Sequence, residues 1–375
     1  MDQPKHHEPE YDSTLFLISS FPSFASVNTS PHKTRLLLTG ATGFIGSHVL
    51  EALTAKGRPV VVLARPTSNV AHARSLGAEI RCGDVSDLAS VRAAMRGCAQ
   101  VVHAAARATD WASAEDFHRT NVIGTCNILE AARLEGIVHT ILTGSNSSYG
   151  EENSLRPKDE SSPYKSHYPY FLDRIFPCAF NGYRDSKAAS TEQAVVLARA
   201  HQLNVTILEP IWVYGEREFG TGFYSYVKAV QSGARWMPGS PRNLFQVCYA
   251  KDLARAYVLA CEKRLPGVER IIVGDPAPVP MRQVFGLFCR EAGLSAPRLL
   301  PKWGTYPIGF ALELCYTLTG RRHPPLLTRG RVNTFYDSIQ FSTAKARHLL
   351  GFECAYTLEQ GIRQTVRWYK DNGYL

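Results

Sequence analysis

A short apolar run ending in three evenly spaced glycines constrains this chain more than any other feature. Leu36-Leu37-Leu38-Thr39 leads into Gly40, Gly43 and Gly46, and Ser47-His48-Val49-Leu50-Glu51-Ala52-Leu53 then shows helical periodicity. The run is too short for a helix, so a strand, a tight turn and a helix N-terminus are expected in that order. Such an arrangement makes a site for a dinucleotide pyrophosphate. Glycine lets the backbone turn sharply and approach the phosphates, and the free N–H groups of the first helical turn face the negative charge. The context carries the argument, because three spaced glycines alone specify little.

Strands are expected next at 60–63, 79–82, 100–104, 138–142 and 205–208, with helical stretches near 86–96, 115–135 and 183–201. This alternation predicts an α/β fold: a Rossmann-type, doubly wound parallel sheet that binds ligands beyond the carboxyl ends of its strands. Beyond residue 215 the pattern loosens, although Asp252 to Tyr257 reads as a helix returning to the main domain. Three regions are therefore expected. Residues 1–33 form a loose leader, since Asp2, Glu8, Glu10, Asp12 and Pro22 do not suit a signal peptide. Residues 34–275 form the dinucleotide-binding domain, with 216–242 contributing to the substrate side. Residues 276–375 form a smaller, mostly helical substrate-binding cap.

The composition is that of a soluble globular protein, 45% hydrophobic and 20% charged over 375 residues. The formal net charge of +9, from 42 basic and 33 acidic residues, is spread along the chain. It suits phosphorylated ligands and does not mark nucleic-acid binding. Nine cysteines include no Cys-x-x-Cys pair, which fits reduced thiols in a cytoplasm and predicts neither a metal site nor a disulfide framework.

The chemistry is expected at Tyr183-Arg184-Asp185-Ser186-Lys187. A four-residue offset on a helix puts Tyr183 and Lys187 on one face. A free phenol titrates near 10, too high for proton transfer at neutral pH, and a neighbouring ammonium is expected to lower it. Upstream, the hydroxyl-rich stretch Thr143-Gly144-Ser145-Asn146-Ser147-Ser148 ends the fifth strand, where a hydroxyl can reach a substrate oxygen.

Together these pieces resemble the extended short-chain dehydrogenase/reductase superfamily over roughly residues 34 to 375. Thr39-Gly40-Ala41-Thr42-Gly43-Phe44-Ile45-Gly46 is similar to its nucleotide turn. The resemblance implies cofactor contacts from Gly40, Thr42, Gly43, Phe44, Ile45 and Gly46, and from Asp84 and Val85 on the adenine side. It adds His103, Ala104 and Ala105 on the fourth strand, and Pro210 and Val213 near the nicotinamide. It also implies a catalytic set of Ser145, Tyr183, Lys187 and Asn121. Lys187 would bind the nicotinamide ribose, and Asn121 would support a water that returns the proton. The C-terminal third looks most like the 3β-hydroxysteroid dehydrogenase branch, through Pro324-Pro325-Leu326-Leu327-Thr328-Arg329, Phe341-Ser342-Thr343-Ala344-Lys345 and Leu350-Gly351-Phe352.

Two departures stand out. Glu209 occupies the place where the superfamily usually has Arg, and Ser145 and Tyr183 are separated more widely than usual. The excess falls in 164–180, whose Tyr164, Tyr168, Tyr170, Phe171, Phe176 and Phe180 predict a lid over an apolar substrate. After the second strand the acid of an NAD site is missing and Arg65 stands ready for a 2′-phosphate, so NADP(H) is expected in preference to NAD(H). The expected activity is a ketone–alcohol interconversion on a hydrophobic, sterol-like or long-chain 3-oxoacyl substrate. A sugar-nucleotide epimerase retaining NAD is the alternative, and only the arginines at 321, 322, 329 and 331 offer a cluster for its diphosphate. The apolar stretch 306–318 is short for a membrane span, and a core or pocket helix is preferred to interfacial attachment. The resemblance also implies a homodimer.

Overall fold

In the computed structural model the apolar run at 36–38 becomes an inner strand of a seven-stranded, all-parallel sheet. The structure describes residues 35–150, 156–220, 222–321 and 323–375, so the expected leader lies outside the described residues. The first half runs β1 (Arg35–Thr39), α1 (Phe44–Ala55), β2 (Val60–Ala64), α2 (Ala71–Ser75), β3 (Glu79–Cys82), α3 (Leu88–Met95), β4 (Cys98–His103), α4 (Ala114–Phe117), a π-helical turn (His118–Ile123), α5 (Gly124–Glu135) and β5 (His139–Thr143). The second half continues with α6 (Ala179–Ala200), β6 (Val205–Pro210), β7 (Trp212–Tyr214), α7 (Phe223–Gln231), β8 (Trp236–Pro238), β9 (Leu244–Phe245), β10 (Val247–Tyr249), α8 (Ala250–Lys263), β11 (Val268–Val273), β12 (Val279–Pro280), α9 (Met281–Ala292), β13 (Arg298–Leu300), α10 (Lys302–Leu318), α11 (Arg329–Thr334) and α12 (Leu358–Asp371).

The main sheet has the order β11-β6-β5-β4-β1-β2-β3. The chain starts at β1, winds outward through β2 and β3, then crosses to β4 on the other side. This reversal opens a crevice at the carboxyl ends of β1 and β4. Two apolar cores cover the sheet. One joins Leu36, Leu38, Val49, Leu53 and the α8 residues Leu253 and Tyr257; the other joins Leu37, Val101, Ile128, Leu129 and Ala194 from α5 and α6. Alternate residues of β1 thus serve opposite layers. A third core mixes Tyr214, Phe223 and Tyr249 with Phe285, Phe288, Ile362 and Val366, so the C-terminal helices share their packing with 212–249.

Three expectations need correction. The helix at 115–135 is interrupted by the π-helical turn that contains Asn121. The helix carrying Tyr183 starts at Ala179 and is longer than the 183–201 expected. A seventh strand, β11, pairs with β6 along its whole length; it was not expected because Glu269 and Arg270 break up the apolar pattern of this edge strand.

Candidate active site

The glycine turn is a cradle that leaves no room for a side chain. A Cβ on Gly40 would lie 2.5 Å from the Ala105 nitrogen and 2.6 Å from the Ala104 carbonyl carbon, and one on Gly46 would lie 2.0 Å from the Gly40 oxygen. Gly40 also has φ of +76°, which side-chain-bearing residues rarely adopt. Gly43 precedes Phe44 as the N-cap of α1 with no side-chain cap, and no acid stands in the first turn. The helix therefore presents its N–H groups and its positive dipole end to the crevice, with Thr42 exposed beside them and Ile45 packed on the core behind. These features fit a dinucleotide pyrophosphate.

The flanking strand ends complete the nucleotide side. Arg65 is exposed immediately after β2, where no carboxylate stands. Asp84 follows β3 and accepts from the Ser86 N–H at 2.9 Å and the Ser86 hydroxyl at 2.8 Å. Burial alone would raise the Asp84 carboxyl, but those bonds and the fields of Arg65 and Arg119 hold it below its ordinary range. Val85 backs α5: its carbonyl takes the Asn127 amide at 3.0 Å, and its side chain packs against Gly124. His103 ends β4 with Nδ1 2.7 Å from the Thr39 hydroxyl, which also accepts from the Ala105 N–H at 3.2 Å. Burial, and then the charge of Lys187, push His103 down to about 3, so this imidazole stays neutral. Thr39 was not foreseen as part of the site. Its signal is a polar residue closing a strand after three consecutive leucines.

The residues expected to transfer the proton converge at the end of β5. Tyr183 on α6 lies near Ser145, which favours the ionised phenol. It is flanked by Phe180, stacked at 6.2 Å, and by Phe117, tilted at 6.2 Å. The Ser145 oxygen lies 2.8 Å from the Ser147 hydroxyl and accepts from the Ser147 N–H, capping a short turn at 146–149. One helical turn after Tyr183, the Lys187 ammonium donates to the Thr143 carbonyl at 2.6 Å. Burial lowers Lys187 to about 8, against the opposing field of Glu209. Burial also raises the Tyr183 phenol, with Ser145 working the other way. The expected lowering of the phenol by the ammonium does not appear in this structure, where burial sets the direction. Asn121 is held rigidly: its oxygen accepts from the Arg107 N–H at 2.7 Å and its amide donates to Ser186 at 2.9 Å. Ser186, another residue not foreseen, bonds in turn to the Tyr183 carbonyl at 2.7 Å and so links Asn121 to the catalytic helix. Pro210 ends β6 and Val213 lies buried in β7, both at the carboxyl side of the sheet.

A strand-turn-helix cradle and a Ser-Tyr-Lys set on one crevice agree with the family model that matches residues 36–274, that of the NAD dependent epimerase/dehydratase family. This chain belongs to that family. As a member it is an oxidoreductase of the extended short-chain dehydrogenase/reductase type, acting on CH–OH groups with a nicotinamide cofactor. Its relatives span two chemistries. It is 28% identical over 337 residues to the 4-hydroxy-2-methyl-3-oxo-4-farnesyl-3,4-dihydroquinoline-1-oxide ketoreductase of Stigmatella aurantiaca, covering 88% of this chain and 94% of the relative. It is equally 28% identical over 344 residues to the N-acetyl-alpha-D-glucosaminyl-diphospho-ditrans,octacis-undecaprenol 4-epimerase of Escherichia coli O157:H7, covering 89% and 94%. Among solved structures, the UDP-glucose 4-epimerase of Thermotoga maritima has the same fold, with a TM-score of 0.71 and 22% identity over 90% of this chain and 99% of that one.

Against this family background, Glu209 has a local partner set. It is fully buried, accepts from the Tyr149 hydroxyl at 2.6 Å and from Tyr164, and pairs with Arg270 of β11 at 3.2 Å. The positive charge missing from position 209 is therefore supplied across the strand pair. The 164–180 insert does not simply hang over the crevice. Tyr164 belongs to this buried cluster, and Tyr170 is buried against Arg184. Phe171 meets Phe310 of α10 edge-on at 5.4 Å. The insert and α10 thus touch directly. Two of the four candidate diphosphate arginines are committed: Arg329 is buried on Glu313 at 2.9 Å, and Arg331 is paired with Asp110. Arg321 is exposed, and Arg322 lies outside the described residues. Among the described residues no group of three or more His, Cys, Asp or Glu is arranged to hold a metal ion.

Proposed function

We propose that this protein is an NADP(H)-dependent ketoreductase, or alcohol dehydrogenase, for a hydrophobic sterol-like or long-chain 3-oxoacyl substrate. The observation that carries the reading is the commitment of Arg329 and Arg331 to Glu313 and Asp110. With those cations neutralised within the protein, the C-terminal region offers little to a sugar-nucleotide diphosphate and suits an uncharged ligand. The S. aurantiaca relative, whose name specifies a farnesyl-bearing 3-oxo compound, supports the same substrate class.

When bound, the cofactor supplies a hydride to the carbonyl carbon. Ser145 donates a hydrogen bond to the carbonyl oxygen, and Tyr183 transfers its phenolic proton to that oxygen as the C–H bond forms. Lys187 holds the nicotinamide ribose and stabilises the resulting phenolate, while Asn121 supports a water that returns the proton. Arg65 reads the 2′-phosphate as a charge-assisted partner. A homodimer through α5 and α6 is part of this reading, supported by the exposed Leu134 and Val196.

A homologous series of 3-oxo compounds, followed by NADPH oxidation, tests the proposal. Each added methylene should contribute about 0.8 kcal/mol, or roughly fourfold in kcat/KM, until the pocket is filled. Activity indifferent to chain length, together with tight UDP-sugar binding and tightly retained NAD, would assign the site to an epimerase.

A further inference from the structure

Helix α10 is amphipathic in the reverse sense. Its buried positions are Thr305, Gly309 and Glu313, spaced four apart on one side. On the opposite side Trp303 is 81% exposed and Leu318 71%, with Ile308 exposed between them. The core or pocket helix expected over 306–318 therefore turns a polar and small stripe inward, half-buries Phe310, Leu312 and Leu314, and leaves Trp303, Ile308 and Leu318 outside. The reason is local. Glu313 must meet the buried Arg329, and Gly309 sits against the Thr328 backbone and Val332, so the helix is rotated with that stripe inward.

The apolar stripe extends onto the insert. Phe171 packs on Phe310 and donates its N–H to the Tyr306 hydroxyl at 3.3 Å, and Phe171, Leu172 and Ile175 are all exposed at this tip. Exposed apolar patches of this kind mark interaction surfaces. The exposed charge of the tip is positive, since its one acid, Asp173, is buried on His167. Arg174 is exposed within the tip, and Arg321 and Arg322 follow the helix in sequence. The single carboxylate of α10, Glu313, is buried and neutralised by Arg329. No helix among the described residues is long and apolar enough to cross a membrane.

We infer that α10 and the 171–175 tip dock in the plane of an anionic lipid surface. Trp303, Ile308, Leu318 and Ile175 enter the headgroup boundary, and Arg174 and Arg321 meet lipid phosphates. An uncharged apolar face rimmed by cations, with no exposed acid on the helix, is the complement of such a surface.

The test is flotation of the full chain with phosphatidylcholine vesicles, with and without phosphatidylglycerol. The protein should float with the anionic vesicles and be released by high salt. A Trp303→Ser, Ile308→Ser, Ile175→Ser variant should lose about tenfold or more in partitioning, because buried apolar area drives interfacial binding. Its circular dichroism and melting should match those of the parent, since all three side chains are exposed. As a second measurement, brominated lipids should quench tryptophan emission in the parent and much less in Trp303→Phe. Absence of binding, equal binding to neutral and anionic vesicles, or binding that the triple variant retains would overturn the inference. So would a self-association that the triple variant abolishes, which would give this face to a second copy of the chain.

Discussion

Tyr183 is stacked on Phe180 and tilted against Phe117, so its ring is held by contacts that do not involve its proton. Replacing it with Phe should therefore leave the ring in place. Turnover should fall by about two to four orders of magnitude, the range for loss of a positioned proton donor. Cofactor affinity, read by fluorescence titration, should stay close to that of the parent, and turnover near the parental rate would remove Tyr183 from the mechanism. Arg65 should act on cofactor choice alone. Arg65→Ala is expected to raise the apparent constant for NADPH by roughly one to two orders of magnitude while leaving NADH nearly unchanged, because only the former carries a dianionic 2′-phosphate. Steady-state titrations with both cofactors check this, and an equal response would show that Arg65 reads no phosphate.

Among the elements, the 164–180 insert is tied to the helix carrying Tyr183 by several side chains, of which His167 is the titratable one. His167 lies between two carboxylates, with Nδ1 2.9 Å from Asp185 of α6 and Nε2 2.9 Å from Asp173 of the insert. The Asp185 bond, reinforced by both negative charges and opposed by partial burial, raises the imidazole above its ordinary 6.5. A raised histidine contributes stabilisation that is fully present below its unfolded value and lost as pH rises through the folded one. Amide protection factors over 166–178, with the intrinsic base catalysis of exchange divided out, should accordingly fall as the medium turns from mildly acidic to alkaline, and the fall should vanish in His167→Gln. A parent with the same protection factors across that range would contradict the clamp. The same elements show what the chain makes legible. The nucleotide turn and the Tyr183–Lys187 pair are encoded within a few residues, so local spacing suffices to find them. β11 escaped because Arg270 interrupts its apolar run to meet Glu209, a residue on another strand. The outward face of α10 escaped for a similar reason. Periodicity tells which side of a helix is apolar, but Glu313 is turned inward by Arg329, which is distant in sequence.

At the scale of the whole molecule, Arg329 joins segments that are remote along the chain. Its guanidinium bonds to Glu313 of α10 and to the carbonyls of Phe171 and Phe176 in the insert, the last at 2.7 Å. Both partners of the ion pair are almost fully buried, Arg329 at 1% exposure and Glu313 at 2%. Arg329→Met leaves a buried carboxylate alone and should cost about 3–5 kcal/mol. Restoring neutrality with Glu313→Gln in the same chain should recover part of that loss. Denaturant titrations of the single and double variants measure both, and a single variant as stable as the parent would deny the pair any structural role. The strand order has a consequence for how the protein is made. β1, β2 and β3 leave the ribosome first, and β4 must then pair with the edge of β1 that β2 has left open. From there β5, β6 and β11 each add to the edge just completed, so the sheet grows in one direction as synthesis proceeds. Until Cys98–His103 is translated, Leu36-Leu37-Leu38 presents a bare apolar edge, and in that interval the nascent chain is most exposed to mispairing.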